Sequence, residues 1–335
     1  MNVTAHTTPE VFEALKVEWN DLLHRASIDT LFLTREWQRV WWRMLGDGEM
    51  RVLAMRDESN TLVGIAPLFF DADASGQRYA AFVGCKEVSD YLDFIFERDR
   101  AEECYQALAD YLASNACPPW DRLVLCNIPE SSPTFTHLPH LACLHGWRTE
   151  QIFEDVSPII QLPATFDAYL AMLGGKERRE LQRKLRRASD EVAITFATDA
   201  ATLDRDMDDF LRLMVASMPS KAEFMTPRMS AFFHAVAREM FDAGMLQLSF
   251  MEVRGERAAT YLNFIYANQV LVYNSGLDPY KFAQISPGQV LLGRLIEQAI
   301  ADKRSAFDFL QGNEEYKHKL GGKDMRLYTL VVHRK

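Results

Sequence analysis

Long apolar runs are missing from this 335-residue chain. No run approaches the roughly 20 apolar residues that a membrane-spanning helix needs. The opening residues, MNVTAHTTPEVFEALK, have neither the basic nor the apolar region of a signal peptide. We therefore expect a cytoplasmic protein without a transmembrane segment. A hydrophobic content of 48% with 25% charged residues is typical of a globular protein.

Cysteine is scarce and unpaired in the sequence. The chain has five cysteines, none in a CxxC pair, at Cys85, Cys104, Cys117, Cys126 and Cys143. An odd number without paired spacing fits a reducing compartment and argues against a disulfide framework. The stretch HLPHLACLHGW carries three histidines and one cysteine, but it lacks the tight, paired spacings of zinc sites. No metal is predicted.

Positive charge is in deficit overall and concentrated in one place. Lysine and arginine number 37 against 47 acidic residues, a net charge of −10, which argues against nonspecific nucleic-acid binding. The segment GGKERRELQRKLRRASDE reverses this balance. On a helix its cations share one arc opposite Leu181, Leu185 and Ala188. These cations are Lys176, Arg179, Arg183, Arg186 and Arg187. A solvated surface helix and an anion-binding surface both fit, and Lys176, Arg179 and Arg183 are the candidates for substrate binding.

The length is generous for one domain and comfortable for two. The segments MRVLAMRDESNTLVGIAPLFF and LSFMEVRGERAATYLNFIY both read as strand, charged turn and strand. This repeat predicts a duplicated α/β domain. A boundary between Glu154 and Phe166 divides the chain into predicted domains 1–158 and 159–335. In the first, residues 9–26 are predicted to be one helix, and Thr34 is predicted to cap a second.

The second half contains a clear order of elements. Three antiparallel strands are predicted from Leu248 to Asn274. A helix should follow at Pro287, with Ser286 as its N-cap and Gln289 completing a capping box. Free backbone N–H groups in its first turn, next to Gly288, can hold an anion such as a pyrophosphate.

This order, carried by YNSGLDPYKFAQISPGQVLLGRLIEQAI and FDFLQGNEEYKHKLGG, resembles the second half of a GNAT acyltransferase domain. It is similar to the FemAB-like and CelD/BioF2-like branch, whose members carry two GNAT domains in tandem. The resemblance implies two GNAT-like domains, each a mixed, mostly antiparallel sheet flanked by helices, with the active site in residues 159–335. It implies acetyl-CoA or another acyl-CoA as donor, with aminoacyl-tRNA less favoured.

One departure from the GNAT sequence pattern leaves the identity of the acyl donor open. The GNAT pyrophosphate signature [QR]-x-x-G-x-[GA], fitted from Gln284, places its first glycine on Pro287. Relatives that use aminoacyl-tRNA have similarly altered loops, but many also have an inserted helical hairpin that this chain lacks. The candidates for donor binding are Ser275, Ser286, Gly288 and Gln289.

The catalytic candidates come from the C-terminal motif. Lys317 matches the lysine of a FemAB-like ending, [YF]-K-x-x-[LF]-G, here YKHKLG, and the resemblance implies that it offsets transition-state charge. An exposed surface lysine beside Lys319 is the competing interpretation. Asp308, Glu315 and Tyr316 are further catalytic candidates, and Tyr280 is a candidate for substrate binding.

Two functions remain open from the sequence. The first is transfer of an acyl or aminoacyl group to an amine or hydroxyl, on a small molecule or on a cell-envelope or polysaccharide precursor. The second is a non-catalytic, degenerate GNAT pair that binds a glycan, a nucleotide-sugar or a protein. The oligomeric state is not predicted.

Overall fold

The computed structural model describes residues 1–85, 88–188 and 192–334. They form two compact units, Met1–Asp155 with Arg326–Lys335, and Val156–Met325. Helices and strands are mixed in both, as the α/β prediction requires. The helices are α1 (Val11–Ala14), α2 (Trp19–Arg25), α3 (Arg35–Leu45), α4 (Ala101–Ala113), α5 (Thr134–Leu144), α6 (Phe166–Met172), α7 (Gly175–Ala188), α8 (Leu203–Ser217), α9 (Pro219–Phe224), α10 (Pro227–Asp242), α11 (Pro287–Ala301) and α12 (Glu315–Lys319). The strands are β1 (Asn2–His6), β2 (Glu49–Arg56), β3 (Leu62–Ala72), β4 (Arg78–Phe82), β5 (Ile95–Phe96), β6 (Arg122–Pro129), β7 (Arg148–Gln161), β8 (Val192–Phe196), β9 (Leu246–Val253), β10 (Glu256–Tyr266), β11 (Gln269–Leu277), β12 (Ala306–Asp308) and β13 (Lys323–His333).

The first unit has the strand order β1-β2-β3-β4-β6-β13. Strands β2, β3 and β4 are antiparallel, and α4 precedes the return of the chain as β6, parallel to β4. The predicted cap of α3 is confirmed, because the Trp37 backbone N–H donates to Thr34 Oγ1 at 3.3 Å. Trp37 and Trp41 on this helix are fully buried in the core.

The single helix predicted over residues 9–26 is wrong. The chain forms α1 and α2, separated by a tight turn in which the Glu18 N–H donates to the Leu15 carbonyl at 3.0 Å. The turn leaves Val17 82% exposed while Trp19 is fully buried. The regular apolar spacing used for the prediction therefore spans two short helices.

The expectation of no disulfide is also wrong, because Cys85 and Cys126 are bonded. Their Cα atoms lie 6.1 Å apart although 41 positions separate them in sequence. The parallel pairing of β4 with β6 brings the ends of these strands together. The remaining cysteines, Cys104, Cys117 and Cys143, are free thiols.

The second unit repeats the order of elements. Its strands run β7-β12-β11-β10-β9-β8, and the three predicted antiparallel strands are confirmed as β9, β10 and β11. Both hairpin turns have two residues with positive φ, Arg254 and Gly255 at 53° and 83°, and Ala267 and Asn268 at 44° and 59°. Such two-residue turns match the twist of the adjoining strands. Helix α11 then leads to β12, which is parallel to β11.

One strand of each unit comes from a distant part of the chain. Residues 159–161 of β7 pair with β12 in the second unit. Residues 327–333 of β13 pair with β6 in the first unit. The sequence-based division placed all of residues 159–335 in one domain, whereas Arg326–Lys335 belong to the first unit. That the two halves superpose remains a prediction, supported by their shared strand order.

The predicted basic amphipathic helix is confirmed as α7. Leu181, Leu185 and Ala188 are buried, while the cations of the arc are exposed. Leu181 packs closely on α11, because a Cβ added to Gly293 would lie 2.9 Å from Leu181 Cδ1. Across residues 1–85, 88–188 and 192–334, no helix combines the length and the apolar character needed to span a membrane.

Candidate functional site

Two neighbouring parallel strands separate at the centre of the second unit. Strands β11 and β12 pair only over residues 269–271 and 306–308. Beyond them, the backbone N–H groups of Phe309 and Gly312 donate to the carbonyls of Pro158 and Val156. Strand β11 continues to Leu277, so its edge beyond Leu271 is not paired with β12.

A β-bulge lies at this same point. Asn263 of β10 is opposite Val272, whereas Leu262 is opposite Asn274, so Tyr273 is the extra residue of β11. A bulge locally bends a strand and re-aims its side chains and backbone groups. The bulge therefore lies just where the pairing of β11 with β12 has ended.

Lys317 lies beneath this segment rather than on the surface. Only 3% of the residue is exposed. Its Nζ donates to the carbonyls of Leu310, Gln311 and Gly312 at 3.2, 3.0 and 3.1 Å. It also lies 2.9 Å from Glu314 Oε2. Four oxygens therefore surround a group that has three N–H donors as an ammonium. The interpretation of Lys317 as an exposed lysine is wrong, since the ammonium holds residues 310–314 in place.

A second lysine, which the sequence reasoning missed, contacts β11. Lys221 of α9 is half-buried, and its Nζ donates to Asn274 Oδ1 at 3.0 Å and to the Ser275 carbonyl at 2.6 Å. Burial lowers the pKa of Lys221 to about 8, and the Glu314 carboxylate opposes this shift. The only sequence signal was a lysine within the proline-broken segment SMPSKAEFMTP.

The other predicted catalytic residues occupy different environments. Asp308 is 2% exposed, and its carboxylate accepts the Leu310 backbone N–H at 2.8 Å, which fixes the turn after β12. Glu315 is exposed and pairs with Lys319 at 2.9 Å. The Lys319 ammonium lowers the pKa of Glu315. Tyr316 packs edge-on against Phe309, and burial raises the pKa of its phenol.

A pocket of about 120 Å³ lies between α7, the first turn of α11, and α12. Its lining consists of three lysines, two glutamates and four other residues: Lys176, Lys184, Lys319, Glu177, Glu180, Leu181, Gln289, Tyr316 and Leu320. Three residues predicted separately from sequence, Lys176, Gln289 and Tyr316, thus meet in one place. Glu180 pairs with Lys184 at 2.6 Å, and the ammonium of Lys184 lowers the pKa of this glutamate. Lys184 also donates to the side chain of Gln289.

The first turn of α11 begins at Pro287 as predicted, but the capping box is wrong. Ser286 makes no side-chain capping bond, and its backbone lies in the left-handed region with φ 54° and ψ 60°. In that conformation the Ser286 hydroxyl does not cap the helix, and Gln289 is occupied by Lys184. Gly288 is part-exposed in the first turn, where an added Cβ would lie 3.0 Å from Leu277 Cδ2.

The remaining candidates lie around these features. Ser275 belongs to β11 and accepts Lys221 through its carbonyl. Tyr280 is 93% exposed in the loop between β11 and α11. Arg179 and Arg183 are exposed on α7 but do not line the pocket. In the described part of the chain, no group of three or more His, Cys, Asp or Glu side chains is arranged to hold a metal.

Within the second unit, the bulged strand β11 is thus followed by helix α11 and then by the parallel neighbour β12, which separates from it. Residues 175–318 match the model of the acetyltransferase (GNAT) domain. No curated protein sequence matches the chain significantly.

Solved structures show the same fold over nearly the whole chain. FemX matches with a TM-score of 0.67 and 11% identity, over 98% of this chain and 97% of FemX. L-PGS from Bacillus licheniformis matches with a TM-score of 0.57 and 11% identity, over 100% of this chain and 94% of L-PGS. A tandem GNAT protein from the clavulanic acid pathway matches with a TM-score of 0.51 and 9% identity, over 99% of this chain and 98% of that protein. The predicted GNAT fold with a tandem organisation is confirmed.

Proposed function

We propose that this protein is an acyltransferase that moves an acyl group from a thioester donor, acetyl-CoA or another acyl-CoA, to an amine or hydroxyl acceptor. The observation that carries the proposal is the pocket at the start of α11, within the matched GNAT domain, where Lys176, Gln289 and Tyr316 meet. Aminoacyl-tRNA is the less favoured donor.

In this proposal the donor's phosphates lie at the first turn of α11. Backbone N–H groups at a helix N-terminus attract anions, and Gly288 lets the ligand approach closely. Lys176 lies at the pocket, and Arg179 and Arg183 extend its positive field along α7. Ser275, Ser286 and Gln289 complete the proposed donor site, and Tyr280 contributes to substrate binding from the neighbouring loop.

Acyl transfer needs little from side chains beyond positioning, polarisation of the carbonyl and removal of a proton. Lys317 is proposed to supply fixed positive charge behind residues 310–314, and Asp308 to set the turn that leads into them. Tyr316 lies in the pocket wall, and because burial raises the pKa of its phenol, it stays protonated and can donate to a leaving thiolate. Glu315 positions Lys319 at the same pocket.

The proposed acceptor is a small molecule or an envelope or polysaccharide precursor, as the FemAB-like resemblance implies. A cytoplasmic location, where acyl-CoA is available, is part of the same proposal.

Donor binding can be tested by titration calorimetry with acetyl-CoA at low salt. We expect Lys176→Glu to weaken binding about 5- to 10-fold, because the change removes an attraction of up to about 1 kcal/mol and adds a repulsion of similar size. The loss should shrink in 0.5 M salt, where charges are screened. Lys303→Glu is the matched control, because Lys303 follows the other end of α11. Equal losses in both variants, or no binding by the wild type, would contradict the proposed donor site.

A non-catalytic binding protein is the second candidate, and one observation favours it. The Lys317 ammonium is already satisfied by three carbonyls and Glu314, so it has no donor left for a reacting group. Thiol release from acetyl-CoA separates the two candidates. A binding module would bind its ligand without accelerating thiol release.

A further inference from the structure

Lys221 is placed by an unusual local structure. Pro219 begins α9 and Pro227 begins α10, so the short α9 is set apart from the helices on either side. From α9 the Lys221 side chain crosses to β11 and bonds Asn274 and Ser275, the two residues that follow the Tyr273 bulge. Its amine therefore lies at the unpaired edge of β11, where the two parallel strands separate.

Lys221 and Lys317 differ in the number of hydrogen-bond acceptors around the side-chain amine, and this difference separates their chemical roles. The Lys317 ammonium faces four oxygens, so loss of a proton would cost a hydrogen bond. Lys221 faces two, Asn274 Oδ1 and the Ser275 carbonyl. A neutral amine has two N–H donors and a lone pair. Lys221 can therefore lose one proton while keeping both hydrogen bonds, which leaves its lone pair free to accept a proton.

The charged groups near Lys221 allow its amine to lose and regain a proton. Glu314 is the charged group that acts on it, but the Glu314 carboxylate is shared with the Lys317 ammonium at 2.9 Å. On α8, which packs against α9, Arg212 is paired with Asp209 at 3.0 Å. Glu223 of α9 is exposed. Burial is therefore the largest influence on the amine, and it holds the pKa of Lys221 at about 8.

We propose that Lys221 is the general base of the acyl transfer and that the acceptor is a primary amine that arrives as an ammonium. The Lys221 amine takes one proton from this ammonium. The freed nitrogen attacks the thioester carbon, the carbon–sulfur bond breaks, and the thiolate leaves with the second proton of the attacking nitrogen. Lys221 then returns its proton to solvent. This inference rests on the proposed acyltransferase function.

The first test needs neither donor nor acceptor. Trace labelling with acetic anhydride across pH 6–11, followed by mass spectrometry, measures the ionisation of individual lysines. We expect Lys221 to inflect near pH 8. Lys281, whose pKa the Glu256 carboxylate raises above its ordinary value, is the reference and should inflect at a higher pH than Lys221. A Lys221 inflection at or above that of Lys281 would overturn the inference even if acetyl-CoA binds as proposed.

The second test measures thiol release from acetyl-CoA, with water or added glycinamide as acceptor. Lys221→Met should lower the rate about 10²-fold or more, as expected for loss of a general base. It should also remove the rate inflection near pH 8 and leave acetyl-CoA affinity unchanged. Lys303→Met should behave as wild type. A Lys221→Met profile that keeps the wild-type inflection would show that Lys221 only positions β11, whereas lost acetyl-CoA binding in the wild type would refute the donor site instead.

Discussion

Replacing Lys317 by methionine should destabilise the protein strongly. Methionine fills the space of the lysine stem, so the change removes mainly the ammonium. It leaves three buried or part-buried carbonyls, those of Leu310, Gln311 and Gly312, without their donor. Leaving a buried polar group unsatisfied costs about 1–3 kcal/mol. The pair with Glu314 adds little, because that carboxylate side chain is 57% exposed. We expect a loss of about 3–5 kcal/mol for the whole group.

Urea unfolding followed by far-UV circular dichroism measures this loss, and the melting temperature should fall by about 10 °C. Lys319→Met is the control two residues away. The Lys319 side chain is 52% exposed and pairs with Glu315 within one helical turn, so its loss should cost less than about 0.5 kcal/mol. A Lys317→Met variant as stable as Lys319→Met would refute the structural role of the buried ammonium.

The same variant tests the proposed chemical role of Lys317. If its charge stabilises the oxyanion, turnover measured well below the melting temperature should fall roughly 10²-fold with donor affinity nearly unchanged. A raised KM with normal kcat would assign Lys317 to structure and binding alone.

Three further predictions concern single sites. Burial raises the pKa of the Asp93 carboxyl to about 6, so the folded protein keeps a proton that the unfolded chain loses near pH 4. The free energy of unfolding should therefore fall by about 3 kcal/mol as the pH rises from about 4 to about 6. Asp93→Asn should remove this pH dependence in urea unfolding at pH 4.5 and 7, and a dependence equal to that of wild type would contradict the prediction. Gly276→Ala should lower the free energy of unfolding by about 3 kcal/mol or more, because the new Cβ would lie 2.7 Å from Met214 Cα. Gly76→Ala, with φ 82° and open space around it, should cost about 1–2 kcal/mol. Similar losses in the two variants would mean that β11 does not pack so closely on α8. Ser286→Ala should change the free energy of unfolding by less than about 0.5 kcal/mol, since no capping bond is lost. Ser286→Gly should be neutral or stabilising, because glycine accepts φ 54° without strain. A clear loss of stability in the alanine variant would show that the hydroxyl does cap the helix.

Local patterns in the sequence predicted the local structure well. The basic helix α7 follows from one apolar arc opposite one cationic arc, and both arcs are present. The hairpins of the second unit follow from alternating apolar runs with short turns such as Arg254 and Gly255. The Thr34 cap follows from a hydroxyl oxygen placed to accept the backbone N–H of Trp37 in the first turn of α3.

Several of the wrong or missing predictions involve contacts between residues far apart in the sequence. The bond between Cys85 and Cys126 depends on parallel pairing across 41 positions. The return of β13 to β6 reassigns the last residues to the first unit. Ser286 has a suitable side chain for a cap but the wrong backbone conformation. Lys221 is a candidate because α9 places its amine beside the bulge of β11, a contact between distant segments of the chain.

Hydrogen exchange with and without saturating acetyl-CoA tests the proposed donor site, because it locates the donor on the chain without requiring the acceptor. We expect slower exchange at the first turn of α11, residues 287–290, and at α12 and the residue after it, residues 315–320, with smaller effects on α7. Residues 1–155 should be unchanged. Protection confined to residues 1–155, or no protection at donor concentrations that saturate binding, would contradict an acyl-CoA site built from α7, α11 and α12.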